Sequence, residues 1–131
     1  MATAERRKFI RLSVNFIVTF KVDKPPEIRM SVGGMDVDAL MMDLSEGGMA
    51  ITTDYEIPDN TLLNIYFTLI NPYRNEDDRV TKMELLGEVR SCSLLDNHKQ
   101  RRLGICFTQM KESDKRAIAS FVKLNAEIEN P

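Results

Sequence analysis

Two clusters of polar residues are dense enough to do chemistry. Arg6, Arg7, Lys8 and Arg11 crowd four positive charges into one short stretch, with Glu5 as the neighbouring counter-charge. The stretch DLSEGGMAI then places Asp43, Ser45, Gly47 and Gly48 between two apolar runs. Guanidinium forks bind anions through paired N–H donors. A carboxylate accepts hydrogen bonds, a hydroxyl donates and accepts them, and glycine lets a backbone pass where a side chain would not. The ordinary readings of the same residues are a solvated basic face for the arginines and an Asx-type turn with a hairpin glycine for Asp43 to Gly48.

Charge and composition narrow the chemistry. The 131 residues carry a net charge of −2, so a partner held by bulk positive charge is excluded and a small anionic one is favoured. With 7% aromatic residues and no Trp, the chain lacks the basic, aromatic-studded strand face of a nucleic-acid binder, and no nucleic-acid polymer is expected as a partner. Apolar runs fall short of the roughly 18 residues of a membrane span, and MATAERRKF has no apolar segment of signal-peptide type. No membrane insertion and a cytoplasmic location are the expectations. Cys92 and Cys106 lack CxxC spacing and read as free buried thiols. His98 is the single histidine, in a polar turn, which leaves nothing to build a metal site. There is no HExxH, no phosphate loop and no nucleophile–base pairing, so the chain reads as a binding module rather than an enzyme.

The elements that must position the two clusters are mostly strands. Residues 12–20 alternate Leu12, Val14, Phe16, Val18 and Phe20 against Ser13, Asn15 and Thr19, and Lys24-Pro25-Pro26 ends the run. Gly33 and Gly34 lie between strand-like runs, where they turn a hairpin or bulge one long strand. GMAIT is a short strand after the polar turn, Pro58-Asp59-Asn60 turns into a fourth alternating run, and Gly87 suggests a bend in a long strand over 80–95. DNHKQR turns into RLGICFTQM. From Ser113 the period changes: Ile118, Phe121, Val122, Asn125 and Ile128 mark a helix, with Ser113 as N-cap and Asp114 in its first turn. Met41, Met42 and Met49 read as core filler, and Arg101 and Arg102 as facing solvent. Closing five or six strands into a small antiparallel barrel removes their edges.

RxxxR (Arg7, Arg11) ahead of the first strand, DxSxxG (Asp43, Ser45, Gly48) at a strand turn, a late GICF strand and a terminal helix together resemble the PilZ domain family, from about Glu5 to Ile128. DxSxxG arises by chance in only about a few per cent of such chains at average residue frequencies, RxxxR much more often; their order and strand context carry the resemblance. The resemblance implies an all-β fold, a six-stranded antiparallel barrel with a C-terminal α-helix. It implies a bacterial second-messenger receptor for cyclic di-GMP, the ligand being bound by Arg6, Arg7, Arg11, Asp43, Ser45, Gly47 and Gly48. The residue at Arg6 is linked in the family to whether one or two nucleotides stack, so one or two copies are open; no other cofactor is implied. Gly104 and Phe107 match a glycine and an aromatic common in the family's last strand, with a packing role. The expected organisation is a flexible basic arm over 1–11, a barrel over 12–112 and a helix over 113–128. With no output domain in the chain, the signal passes to an unidentified protein partner. The alternative within the family is an interaction adaptor that does not depend on nucleotide.

Overall fold

The computed structural model describes residues 12–31, 34, 36–70 and 79–129, so Arg6, Arg7 and Arg11, the 1–11 arm and most of the 71–79 loop lie outside the described residues. Six strands form the body: β1 (Leu12–Lys24), β2 (Val37–Leu44), β3 (Gly48–Thr53), β4 (Leu62–Ile70), β5 (Val80–Leu94) and β6 (Arg101–Gln109). All pairs are antiparallel and the sheet closes in the order β1-β2-β3-β6-β5-β4. Closure leaves no strand edge unpaired, the arrangement expected from the alternating sequence.

Period-two alternation decides which side chains fill the barrel. Val18, Phe20 and Val22 of β1 are fully buried, as are Leu63 and Ile65 of β4, Met41 and Leu44 of β2, and Leu103 of β6. Met49 joins this core, whereas Met42 lies on the outer face, 39% exposed. The bend expected at Gly87 appears as a register shift between Leu86 and Gly87 in the β5–β6 ladder. Cys92 and Cys106 are free thiols, but half-buried rather than buried. His98 is exposed in the β5–β6 turn with φ 57°.

Between β1 and β2 the chain departs from the strand-like run expected to precede Gly33. Pro26–Ser31 forms a short helix, α1. Proline at the first helical position costs no hydrogen bond, because that N–H would be an orphan. Arg29 pins the turn to β1 by donating from Nε to the Val22 carbonyl (2.9 Å) and from a terminal nitrogen to the Asp23 carbonyl (2.7 Å). Gly34, at φ 68°, donates its N–H to the Arg29 carbonyl at 2.8 Å and so ends the helix in a conformation that favours glycine.

The C-terminal helix, α2 (Glu112–Glu129), starts one residue before the expected Ser113 cap. Lys115 donates its N–H to the Lys111 carbonyl at 3.0 Å, which makes Lys111 the cap and puts Ser113 and Asp114 inside the first turn. Ile118, Phe121 and Val122, at three- and four-residue spacing, are buried against the barrel. The Phe121 ring meets Phe16 of β1 at a centroid distance of 5.7 Å and 48°.

Two outcomes check this account of the core. Phe121→Ala should lower unfolding free energy by about 3–5 kcal/mol in a denaturant melt, because it empties the seat of α2. Gly48→Ala should destabilise by about 1–3 kcal/mol, because a Cβ there would run into the Ile105 backbone carbonyl oxygen across the β3–β6 ladder. An unchanged melting midpoint for the alanine at 48 would contradict that close approach.

Candidate functional site

The motif turn joins two strands that β6 flanks on one side and β1 on the other. Asp43 is the penultimate residue of β2, Gly48 opens β3, and Ser45, Glu46 and Gly47 form the connection. Leu44 pairs with Met49 and both point into the core, so Asp43, paired with Ala50, points outward. A register shift between Met41 and Asp43 re-aims the last residues of β2.

Within the turn the polar groups are largely consumed by the turn itself. Ser45 donates its N–H to the Gly48 carbonyl at 2.9 Å and its hydroxyl donates to the same oxygen at 3.3 Å. The Ser45 Oγ in turn accepts the Gly47 N–H at 3.3 Å, and the side chain is buried. Gly47 contributes its carbonyl to the Phe107 N–H at 2.9 Å, which ties the turn to β6. The glycine at 48 is not required by its φ; the nearness of Ile105 is what leaves no room for a side chain. Ser45, Gly47 and Gly48 thus build a low, rigid rim, and half-buried Phe107 packs against the core beneath it.

Asp43 is different. Its carboxylate is directed to the outer surface and meets Arg102 of β6, whose terminal nitrogen lies 2.9 Å from Oδ2. The two side chains keep 19% and 38% of their exposure. Arg102 is the neighbour of Asp43 that sequence reasoning left facing solvent. The signal that could have found it is the pairing of β3 with β6, because only that ladder brings position 102 near position 43. Arg101 is not free in solvent either: it is half-buried, its side chain 26% exposed, with a Glu56 oxygen 4.0 Å from its terminal nitrogen.

The register of β1 against β2 sets the start of β1 beside this turn. Leu12 pairs with Leu44 and Ser13 with Asp43. The strand that follows the basic segment in sequence thus opens opposite the end of the motif strand. A hollow lies elsewhere: a groove of 1220 Å³ on the β1–β4–β5 side, lined by Asn15, Thr19, Asn64, Tyr66, Lys82 and Glu84 among others. No residue of DxSxxG lines it, so it is not the place where the motif acts. Burial and then the Glu84 carboxylate push the Tyr66 hydroxyl pKa upward there. No group of three metal-ligating side chains occurs among the described residues, and no helix among them is long and apolar enough to cross a membrane.

Comparison with known proteins agrees with this architecture. The fold is similar to that of the Bacillus subtilis inhibitor of motility MotI/DgrA, with a TM-score of 0.76 at 14% identity over 96% of this chain and 54% of that one. The chain thus spans about half the length of that protein. It is also similar to the PilZ domain of YcgR from Escherichia coli, solved with c-di-GMP (TM-score 0.60, 16% identity, 95% of each chain). A third likeness is to the K. pneumonia MrkH complex with c-di-GMP (TM-score 0.63, 15% identity, 95% of this chain and 54% of that one). No curated protein matches in sequence. The PilZ domain model matches residues 5–124, a span that holds both RxxxR and DxSxxG, and the chain belongs to the PilZ domain family.

Proposed function

We propose that the protein is a receptor for cyclic di-GMP, with the nucleotide held between the RxxxR segment and the outer face of the β2–β3 turn. The observation that supports the reading is the β1–β2 register, Leu12 with Leu44 and Ser13 with Asp43, which sets the start of the strand that follows the basic segment beside the acidic turn. Two of the similar structures, YcgR and MrkH, contain c-di-GMP, which supports the choice of ligand.

The chemistry is complementary. Each phosphate of the ligand carries one negative charge, and each guanine presents O6 and N7 as acceptors and N1 and N2 as donors. Arg7 and Arg11 suit the phosphates or the O6/N7 pair, with Arg6 as a third donor group. Asp43 is the acceptor for N1 and N2. Ser45, with its hydroxyl engaged in the turn, and Gly47 and Gly48 keep the rim low so that a base can approach Asp43. A micromolar dissociation constant needs about −8 kcal/mol, and hydrogen bonds to charged groups are worth roughly 1.5–3 kcal/mol each, so four or five suffice after the ordering cost of the basic segment. One bound nucleotide satisfies this count; a second stacked copy engages Arg6.

In this reading the domain is a binding module without a reaction of its own. Binding draws residues 6–11 against the barrel, and the altered surface passes the signal to a protein partner.

Calorimetric titration with cyclic di-GMP should show binding at micromolar concentration, and no heat at tens of micromolar protein and ligand would favour a nucleotide-independent adaptor instead. Arg11→Ala and Asp43→Ala should each weaken binding by at least a hundredfold. The Asp43 substitution should move unfolding by no more than about 1 kcal/mol, since the ion pair it removes is partly exposed. Amide resonances of residues 6–11 should shift and broaden or sharpen on ligand addition; a spectrum of that segment identical with and without ligand would contradict the switching step.

A further inference from the structure

We infer that Arg102 is a specificity-determining residue of the site, which with Asp43 forms a donor–acceptor pair that accepts guanine and rejects adenine. The inference rests on the cyclic dinucleotide reading above and adds to it a residue outside both sequence motifs.

Geometry comes first. Asp43, Ala50 and Gly104 form one row across β2, β3 and β6, and Arg102 pairs with Thr52 one step along. Met49 and Ile51 point into the core, so Ala50 and Thr52 belong to the outer face, yet they are only 3% and 7% exposed. Above them the Arg102 guanidinium crosses β3 to reach Asp43 Oδ2 at 2.9 Å. Among the described residues the contact uses one terminal nitrogen, which leaves the other N–H donors of the fork for a ligand. It occupies one of roughly four acceptor positions of the carboxylate, which leaves acceptors for two more N–H groups.

Carboxylate and guanidinium side by side thus offer acceptors next to donors to a single base edge. Guanine offers the matching series, O6 as acceptor, then N1–H and N2–H as donors. With N1–H and N2–H on Asp43, O6 falls on the Arg102 side, where a free N–H can meet it. Adenine offers the opposite, an N6 amine toward Arg102 and a bare N1 acceptor toward Asp43, with no N2 amine. Both mismatches leave a polar group facing its own kind, and sites built on paired polar groups discriminate most strongly in that situation. The bridge does not have to break for guanine to bind; it holds the Asp43 carboxylate in place for the base.

The test is a set of titrations of the full chain with cyclic di-GMP and with cyclic di-AMP, on the wild type, Arg102→Ala and Arg102→Lys. Wild type should prefer the guanine ligand. Arg102→Ala should lose about tenfold to a hundredfold in affinity for cyclic di-GMP with little change toward cyclic di-AMP, so that the ratio of the two narrows. Arg102→Lys, which keeps the charge but not the planar fork, should recover part of the affinity. The ratio is measured on one protein preparation, so a loss of folded fraction cannot imitate the result. An Arg102→Ala variant with the wild-type ratio, or one that binds cyclic di-GMP more tightly because the bridge competed with ligand, would overturn the inference. A wild type that binds no cyclic di-GMP would overturn the receptor reading and this inference with it.

Discussion

The pairing of the first strand with the second is the constraint on which the rest of the site depends. Leu12 and Leu44 are both buried and lie opposite one another, so sliding β1 by one residue would turn Leu12, Val18, Phe20 and Val22 out of the core. The core therefore fixes the register. The register in turn places the start of β1 beside Asp43, because Ser13 is its partner. The juxtaposition of Ser13 and Asp43, 30 residues apart in sequence, is thus maintained by apolar burial.

A division of labour within DxSxxG follows from the same packing. Ser45 and the two glycines close a turn that must pass against β6, where the Ile105 carbonyl leaves no space for a Cβ at position 48 and the Phe107 N–H holds the Gly47 carbonyl. Their polar and steric features are spent on the rim. Asp43 keeps its carboxylate on the outside, engaged among the described residues by one arginine nitrogen and partly open to solvent. The motif is a scaffold of three residues that presents one acceptor group, which explains how a surface turn can be both rigid and receptive.

Much of this was legible in the amino-acid pattern. The alternation in 12–20 and 62–69 reports strands directly, and the change to three- and four-residue spacing at Ile118, Phe121 and Val122 reports the helix, because in both cases burial enforces the periodicity. Pro26–Ser31 was not legible as a helix: it is too short for an apolar face, and what holds it is Arg29 donating to two carbonyls of β1. Ser113 looked like a cap because of its side chain, whereas the cap is Lys111, selected by where β6 ends. Arg102 could not be read as a neighbour of Asp43, since their proximity comes from the β3–β6 ladder and the two lie 59 residues apart. Local physics was visible in the sequence; contacts created by strand order were not.

The most direct test of the central claim is a crystal structure of the protein with cyclic di-GMP. The account predicts a guanine edge within hydrogen-bond distance of the Asp43 carboxylate, on the outer face of β2 and β3, with side chains from residues 6–11 against the phosphates. A nucleotide seated instead in the β1–β4–β5 groove, with Asp43 bound only to Arg102, would contradict it.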